Sequence, residues 1–428
     1  MRRPLLLAGL IYGLVLLGLL TRDGSLLVLA LPLAIYWGAA LLYGPAEPRF
    51  EITRTLSEDR VSENESVIVD LTIVNAGSRL ERVLVEDQVP GRLEVIDGQV
   101  NALAALPPGG SLQLQYAVRA RRGGFEFGEV RLTASDQLGL FRRQTVFQAP
   151  ARLWVLPETF RLRRVAIRPL RTRDTAGPVP ARQGGSGVDF FGLREYQAGD
   201  PRRWINWRVS ARHPRDLFTN EFEQERIADV GLILDARRRT NIRSRQDSLF
   251  EHAIRATASL AERFLSDGNR VGLLIYGRSL DWTFPGYGKI QRERVLRALA
   301  RAQLGDSQVF DRLDYLPTRY FPVQSQIVLV SPLCLDDLPM LTRIRARGYQ
   351  LLVVRPDPVG MELELLGRRP GVELAARIVR VERELQRRRL QQAGIHVVDW
   401  SVDQPFDRVV HASLGRMRHW FRFVGWES

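Results

Sequence analysis

The sequence predicts a multidomain protein in which a two-helix transmembrane hairpin precedes an antiparallel β-sandwich and a Rossmann-like α/β domain. Three observations support this prediction. Two apolar runs lie near the N-terminus, a stretch of period-two alternation follows them, and strand-like and helix-like segments then alternate as far as residue 402. A length of 428 residues and a hydrophobic content of 45% are sufficient for two or three domains with buried cores.

The N-terminal region, residues 1–44, contains two apolar runs, Pro4–Leu20 and Ser25–Tyr43. As a helix, each run is about long enough to cross a hydrocarbon core of ~30 Å. A cleaved signal peptide is the alternative. It fits less well, because no small-residue cleavage site precedes Arg22 and the second run follows at once. The region is therefore predicted to be a transmembrane helical hairpin.

Positive charges flank this hairpin on both sides. The arginines concerned are Arg2, Arg3, Arg49, Arg54 and Arg60, whereas Arg22 in the connecting loop is balanced by Asp23. The positive-inside rule therefore places the soluble domains of a two-pass protein on the cytoplasmic side of the inner or plasma membrane. The net charge of +14 makes contact with anionic lipid plausible, but no aromatic-interleaved basic repeat indicates nucleic-acid binding.

Residues 50–157 alternate with period two. In the run 66–75, one face carries Val67, Val69, Leu71 and Ile73, and turn signals such as Asn75–Gly77 and Pro107–Gly110 separate such runs. Short alternating strands at this spacing are typical of an antiparallel β-sandwich. No charged or histidine cluster within the region indicates a site, so we interpret it as a packing module.

The composition changes at residue 158. Residues 158–186 are rich in Arg, Pro and Gly and are predicted to be an extended or disordered linker. Over residues 229–402, short buried strands alternate with helical patterns, which predicts a parallel sheet covered on both faces. A C-terminal helix in 403–428 is predicted to dock on the core through one apolar face, formed by Phe406, Val410, Leu414, Met417 and Phe421.

The segment 187–228 joins the linker to the first strand of that sheet. It combines a Gly-Asp-Pro turn with tryptophans and many opposite charges. Two interpretations remain open: a partly buried joint that fixes the neighbouring modules together, or a docking surface for a partner. The residues that would carry either role are Arg194, Glu195, Tyr196, Gly199, Asp200, Asn206, Trp207, Ser210 and Arg212.

Asp235 follows the first predicted strand, at the edge where open α/β sheets bind ligands. Here the domain resembles a von Willebrand factor A domain. The resemblance implies a metal-ion-dependent site with an Asp-x-Ser-x-Ser motif, a loop Thr and an Asp after the fourth strand. This sequence matches the first position with Asp235. The other positions hold Arg237 and Arg239 in place of the two serines, Ser307 as a stand-in for the loop threonine and Ser331 instead of the last aspartate.

Two cations at ligand positions disfavour binding of Mg²⁺. We therefore expect a degenerate site without a metal, in which Asp235 pairs with a neighbouring arginine or caps the following segment. The sequence contains neither an HExxH motif nor a G-x-S-x-G nucleophile elbow. No catalytic residue and no cofactor are expected.

The segment 187–228 also resembles the signature of the domain of unknown function 58 family. The matching residues are Phe190, Arg194–Tyr196, Gly199–Asp200, Arg203, Ile205–Trp207 and Ser210–Arg212. A membrane hairpin, a β-sandwich ending in Asp136–Phe141 and a von Willebrand-like half agree with that family. Since its members are commonly encoded beside MoxR-type AAA+ ATPases, the resemblance implies such an ATPase as a partner.

The expected function is a membrane-anchored, non-enzymatic scaffold or adaptor. It would act with a MoxR-type AAA+ ATPase in the assembly or maturation of protein complexes, and the sequence does not identify the client. The alternative is a hydrolase or a metal-dependent binding protein with a site around Asp235, because carboxyl edges of such sheets often hold sites.

Overall fold

A computed structural model describes residues 2–42, 48–135, 142–163, 165, 167, 172–213, 215–244, 247–307, 310–367 and 369–415. The chain divides into two compact units, Met1–Leu156 and Pro157–Ser428. The sandwich motif Asp136–Phe141, quoted for the family resemblance, lies outside the described residues, as do Met417 and Phe421 of the predicted C-terminal helix.

The first unit begins with a pair of apolar helices, α1 (Arg2–Thr21) and α2 (Gly24–Leu42). The two helices are in contact, and the Trp37 indole N–H donates to the Pro4 carbonyl at 3.3 Å. Within α1, the stretch Pro4–Thr21 is long and apolar enough to cross a membrane, whereas the apolar stretch of α2, Gly24–Ala40, is shorter. The N-terminal pair of apolar helices predicted from the sequence is therefore present.

The rest of this unit consists of two β-sheets, with strand orders β1-β3-β7-β5 and β2-β9-β8-β4-β6. The strands are β1 (Phe50–Leu56), β2 (Arg60–Ser62), β3 (Ser66–Asn75), β4 (Leu80–Asp87), β5 (Glu94–Gly98), β6 (Asn101–Leu106), β7 (Ser111–Arg119), β8 (Gly123–Ser135) and β9 (Arg142–Leu156). Along β3, the predicted apolar face is buried. Alternation along the strands thus supplies the core between the sheets.

The second unit contains a sheet with the strand order β13-β12-β11-β14-β15-β16. The strands of the unit are β10 (Thr172–Glu195), β11 (Phe218–Asp235), β12 (Arg270–Tyr276), β13 (Leu280–Gly286), β14 (Gln326–Val330), β15 (Gln350–Asp357) and β16 (His396–Ser401). The helices are α3 (Trp207–Ser210), α4 (Leu249–Ser266), α5 (Gly288–Arg301), α6 (Leu338–Ala346), α7 (Val359–Leu366), α8 (Pro370–Gln392) and α9 (Phe406–Gly415).

Neighbouring strands of this sheet run parallel, except for the antiparallel edge strand β13. The chain builds one half of the sheet outward from β11 and then crosses over to β14 on the other side. Strand order therefore reverses between β11 and β14, which is the position where open α/β sheets form a crevice. The strands β12 and β14 are almost wholly buried, as expected for a parallel sheet with both faces covered.

Part of the linker expected over 158–186 is a strand in the structure. Thr172–Glu195 is the strand β10, which pairs antiparallel with residues 218–228 of β11 through a register with several shifts. We call this pair the β10–β11 arm. Upstream of it, the backbone N–H of Phe160 donates to Ser259 Oγ at 2.8 Å, so this part of the segment packs on α4. Although the composition of the segment is rich in Pro and Gly, its backbone N–H and C=O groups pair with those of β11, and the segment is therefore a strand.

The helix α9 docks on the core as predicted. Phe406, Val410 and Leu414 are buried. The Phe406 ring lies 4.7 Å from that of Trp400 and 6.3 Å from that of Phe160, between ring centroids.

Candidate functional site

The carboxyl edge of the parallel sheet brings three sequence-distant residues together. Asp235 is the last residue of β11, Ser331 follows β14, and Asp337 ends the 3₁₀ turn Leu335–Asp337 before α6. Parallel strands end at one edge, so the crossover between β11 and β14 places these side chains side by side. All three are buried. We call Asp235, Arg237, Ser331 and Asp337 the Arg237 cluster.

The Arg237 guanidinium lies between the two carboxylates and is 1% exposed. Towards Asp235, Nε donates to Oδ1 at 2.9 Å and Nη2 to Oδ2 at 2.8 Å. Towards Asp337, Nη1 donates to Oδ1 at 2.9 Å and Nη2 to Oδ2 at 2.8 Å. Nη1 also donates to the Asp311 carbonyl at 3.0 Å. All five N–H groups of the guanidinium therefore have acceptors.

The carboxylates accept further hydrogen bonds from the surrounding backbone and side chains. Ser331 Oγ donates to Asp235 Oδ2 at 2.6 Å, and the Arg237 backbone N–H donates to Asp235 Oδ1 at 3.0 Å. The Cys334 backbone N–H donates to Asp337 Oδ2 at 2.7 Å. The buried charges are thus paired and fully hydrogen-bonded, which is the condition under which burying them is tolerable.

A second arginine adds positive charge beside the cluster. Arg239 donates to both oxygens of the exposed Asp336 at 3.0–3.1 Å and lies 3.7 Å from Asp337 Oδ1. Burial by itself lowers the pKa of Arg237, but the hydrogen bonds and charges of Asp235 and Asp337 outweigh burial and raise the pKa above its ordinary value. The guanidinium is therefore charged at neutral pH.

This donor set does not fit the divalent cation that the von Willebrand resemblance implies. A positive guanidinium already contacts both carboxylates, and Arg239 occupies the second serine position. Cys334, Asp336 and Asp337 come within 4.8 Å of one another, but Arg237 and Arg239 hold the two carboxylates. Burial also raises the pKa of the Cys334 thiol to about 11, so the thiol is protonated and a poor ligand.

Ser307 is not brought into the cluster. Its Oγ accepts from the Phe310 backbone N–H at 3.3 Å, and no contact in the described part of the chain joins it to Asp235. Gly305, two residues before Ser307, instead forms a parallel backbone bridge with Arg237. Asp337 pairs with Arg237 and completes the cluster, although the sequence analysis did not include it among the site residues; its only signal was the acidic pair Asp336-Asp337 shortly after β14.

The cluster also lacks the geometry of a hydrolase. Ser331 is the hydroxyl nearest to a carboxylate, but it is fully buried and its hydrogen bond goes to an aspartate that already pairs with Arg237. A serine nucleophile needs an accessible oxygen and a base free to accept its proton. Neither condition holds for Ser331.

The segment 196–217 connects β10 to β11 at the end of the arm farthest from the parallel sheet. Asp200 organises its first turn. Arg194 Nη1 and Nη2 donate to the two Asp200 oxygens at 2.9 and 2.6 Å, and the Gln197 backbone N–H donates to Oδ2 at 2.9 Å. These hydrogen bonds lower the pKa of Asp200. Gly199 has a φ of +112°, a backbone conformation that other residues rarely adopt.

Asn206 and Ser210 hold the second half of this segment onto β11. Asn206 caps α3 by accepting from the Val209 backbone N–H at 3.2 Å, and its amide donates to Asn220 Oδ1 at 2.9 Å. Ser210 Oγ accepts from the Phe218 backbone N–H at 2.9 Å. Tyr196 donates to the Asp200 carbonyl at 3.4 Å. Most polar signature residues therefore shape the loop itself.

Trp207 does not have the burial expected of a joint between modules. Its side chain is 65% exposed, and Glu195 is exposed as well. Five exposed arginines lie in the same segment: Arg202, Arg203, Arg208, Arg212 and Arg215. We call Trp207 and these arginines the tip surface. Most polar residues of the signature, Arg194 included, are structural, whereas its Trp207, Arg203 and Arg212 face solvent.

A buried charged cluster in the sandwich was missed by sequence reasoning, which assigned that unit no such cluster. Arg54 forms a buried ion pair with Asp87, and the Tyr116 hydroxyl donates to Asp87 Oδ2 at 2.7 Å. Burial and this carboxylate raise the pKa of Tyr116. Arg54 had been counted among the charges that flank the hairpin, and no local pattern in the sequence marks it as buried. The pairing links β1, β4 and β7 and has a structural role.

Comparison with solved structures gives only low overall similarity. The matches include the major pilin subunit BcpA of Bacillus cereus (8% identity, TM-score 0.21, 26% of this chain and 41% of the pilin). They also include the cupredoxin domain of amoB from Nitrosocaldus yellowstonii (13% identity, TM-score 0.19, 25% of this chain and 86% of the cupredoxin domain). A FixG-related protein from Vibrio parahaemolyticus matches as well (10% identity, TM-score 0.18, 25% of this chain and 95% of that protein).

Comparison with the curated proteins gave no significant match. A family model does match: residues 192–393, somewhat less than half of the chain, correspond to the family described as "Protein of unknown function DUF58". The matched range begins near the end of β10 and includes the segment 196–217 and the Arg237 cluster. The match thus supports the DUF58 family, the one predicted from the signature residues.

Proposed function

We propose that the protein is a membrane-anchored, non-enzymatic adaptor whose α/β unit is a von Willebrand factor A-like domain with an internal cation in place of a metal. The strand order, the antiparallel edge strand β13 and the position of Asp235 support the assignment of the domain. In this proposal, partners bind to the exposed tip surface of the β10–β11 arm.

The observation that carries the proposal is the position of Arg237. Its guanidinium occupies the space between Asp235 and Asp337 and uses all of its donors there. A site of this kind offers neither an open coordination position to a partner's carboxylate nor a free base to a substrate. Binding elsewhere on the unit is therefore the function that best fits the geometry.

The anchor in this proposal is the pair of helices α1 and α2, which cross the membrane as a hairpin. The apolar stretch of α1 supports one crossing, and the contact between Trp37 and Pro4 supports pairing of the two helices. The arginines on both flanks would then keep the β-sandwich and the second unit in the cytoplasm. A cytoplasmic location would give the tip surface access to a soluble ATPase.

The proposed partner is a MoxR-type AAA+ ATPase, as the family resemblance implies, acting with this chain in the assembly or maturation of other complexes. The tip surface has the composition of an interface centre, because tryptophan and arginine dominate binding hot spots. Its excess of arginine calls for an acidic surface on the partner. Since Trp207 is largely exposed, a partner would bury apolar area that the isolated chain leaves in water.

Affinity purification of the full chain from detergent-solubilised membranes, with and without ATP, tests this proposal. We expect an AAA+ ATPase to copurify with the wild type and to be lost from Trp207→Ala. The matched control is Phe284→Ala, which removes a similarly exposed aromatic side chain from β13. Thermal unfolding should show both variants folded. Recovery of no ATPase with the wild type, or equal recovery with both variants, would overturn the proposal.

A further inference from the structure

The helix α8 has two apolar faces. Its inner face packs on the sheet and buries Ala376, Gln386 and Leu390. On the same face, the Arg383 guanidinium donates to the carbonyls of Pro332 and Pro356 at 3.2 and 3.3 Å. Four large apolar side chains lie elsewhere on the helix, each 50–60% exposed: Leu374, Ile378, Val381 and Leu385.

These four residues form one stripe, which we call the outer stripe. Their spacing of four, three and four residues is that of a coiled-coil seam. At about 100° per residue, the stripe is centred on the side of α8 opposite to Ala376 and Leu390. A helix that covers a sheet normally presents a polar face to solvent, so an apolar stripe on that side indicates a missing partner.

We infer that the outer stripe binds a second copy of this chain, so that two α8 helices pair across a two-fold axis. The stripe spans about 17 Å from Leu374 to Leu385, or roughly three helical turns. In such a dimer each copy presents the same residues, and the four apolar side chains of each helix pack against those of the other. This inference is independent of the proposed ATPase partner, because it concerns a different surface.

The charged residues beside the outer stripe of one copy are complementary to those of a second copy. Arg377 and Glu384 flank it on one side, and Glu382 and Arg389 flank it on the other. In a parallel pair, a flanking residue meets the residue five positions later on the other helix. Arg377 then faces Glu382 of the second copy, and Glu384 faces Arg389. In an antiparallel pair, Arg377 faces Glu384, which is again an attractive pairing.

Three of these charges are available for such contacts. Arg377, Glu382 and Arg389 form no ion pair within the described part of the chain. Glu384 accepts from Arg387 and Arg388 on its own helix at 2.7–2.9 Å, and these hydrogen bonds lower its pKa to about 2. It is therefore charged at neutral pH, although partly engaged by its own helix.

The same charges disfavour a lipid surface as the occupant. Helices that lie on anionic membranes carry mainly Lys and Arg beside their apolar face. Beside the outer stripe, Glu382 and Glu384 offset Arg377 and Arg389, so the flanks add no net attraction to anionic headgroups. A protein surface with both signs of charge fits better, and a second α8 supplies both.

Thiol cross-linking of the full chain in detergent is the first test. In a Cys334→Ser background, Ile378→Cys places one thiol near the middle of the stripe, where the two copies meet in either orientation. A short thiol-to-thiol cross-linker should then give a covalent dimer. The matched control is Arg380→Cys, which is exposed on the same helix but off the stripe. Equal cross-linking of both variants, or of neither, would overturn the inference.

Charge reversal tests whether the outer stripe binds a second α8 or another partner. Arg377→Glu alone should weaken self-association, measured by light scattering of the full chain in detergent, and a second reversal should restore it. Restoration by Glu382→Arg identifies the parallel pair, and restoration by Glu384→Arg identifies the antiparallel pair. A lipid surface or the C-terminal residues 416–428 of the same chain would show no restoration by either, and that result would refute the inference.

Substitution of one stripe residue by a charged residue gives the expected size of the effect. Ile378→Glu should raise the dissociation constant about a hundredfold, because it places a charge where apolar side chains would otherwise meet. Since Ile378 is more than half exposed in one chain, the variant should keep the thermal midpoint of the wild type. An unchanged dissociation constant in a folded variant contradicts the proposed contact.

Discussion

The Arg237 guanidinium and the Asp337 carboxylate face each other through two hydrogen bonds of 2.9 and 2.8 Å, although the residues are 100 positions apart. Arg237 follows β11, and Asp337 immediately precedes α6. The contact therefore ties together the two sides of the crossover at the carboxyl edge of the sheet. It also places a permanent positive charge at the position where ligands of open α/β sheets bind.

The first prediction concerns the stability that depends on this pair. Asp337→Asn replaces one of the two carboxylates that pair with the buried Arg237 guanidinium by a neutral amide, whose N–H₂ group cannot accept a hydrogen bond from Arg237. We expect the free energy of unfolding to fall by about 3–5 kcal/mol, the cost of breaking a buried ion pair from one side. Chemical denaturation of the full chain in detergent measures this change.

Asp336→Asn is the matched control, because it removes the neighbouring carboxylate from an exposed pair with Arg239. Its expected cost is below about 1 kcal/mol. If the two variants were equally stable, the Arg237 cluster would not have the structural importance assigned to it.

The second prediction concerns cation binding. The double substitution Arg237→Ser and Arg239→Ser introduces hydroxyls at both positions and leaves Asp235 and Asp337 without their main cation. We expect Mn²⁺ or Mg²⁺ to raise the thermal midpoint of this variant, because oxygen ligands are then free and binding to the folded state stabilises it. The wild type should show no such shift.

Adding Asp235→Ala to the double variant should abolish the shift, which ties the effect to this edge of the sheet. Micromolar binding of Mg²⁺ or Mn²⁺ to the wild type, lost in Asp235→Ala, would contradict the interpretation of Arg237 as the resident cation.

The third prediction concerns pH. Burial lowers the pKa of His396 below its ordinary value of 6.5, and Nε2 is buried without a hydrogen-bond partner in the described part of the chain. The unfolded chain therefore binds a proton near pH 6.5 that the folded state resists. Stability from this group is complete above that pH and is lost as the pH falls towards the lowered pKa.

His396→Leu should make the free energy of unfolding fall less steeply between pH 7 and pH 5, because leucine takes up no proton on unfolding. Burial also lowers the pKa of His252, so this histidine contributes in the same direction. The free energy of unfolding, measured as a function of pH, tests the claim. An identical slope in wild type and His396→Leu would exclude His396 as its source.

Much of the fold follows from local patterns. The apolar runs of α1 and α2, the alternation along β3 and the buried strand before Asp235 depend on neighbouring residues, and each is present in the structure. The replacement of ligand serines by Arg237 and Arg239 can likewise be read from the sequence alone. Pairing of Asp235 with a nearby arginine, also expected from the sequence, is observed.

Other features had no local signal. The segment 172–186 has the composition of a linker, but it pairs with β11 because that strand continues beyond the parallel sheet and leaves backbone groups to be satisfied. Trp207 would be partly buried in a joint between modules, one of the two interpretations that the sequence left open, yet it lies largely exposed beside the turn of Asp200 and the cap of Asn206. Composition gives the type of each side chain, but it does not determine whether other parts of the protein bury that side chain.

The sequence by itself determined the order of the structural units and the chemical identity of the carboxyl edge, with Asp235 followed by two arginines. Periodicity and residue type are local properties, so they can be read from the sequence without knowledge of the fold. Only the tertiary structure decided that Asp337 completes the cluster, that Ser307 does not belong to it and that α8 exposes a second apolar face. Those outcomes depend on which distant surfaces meet when strands and helices pack.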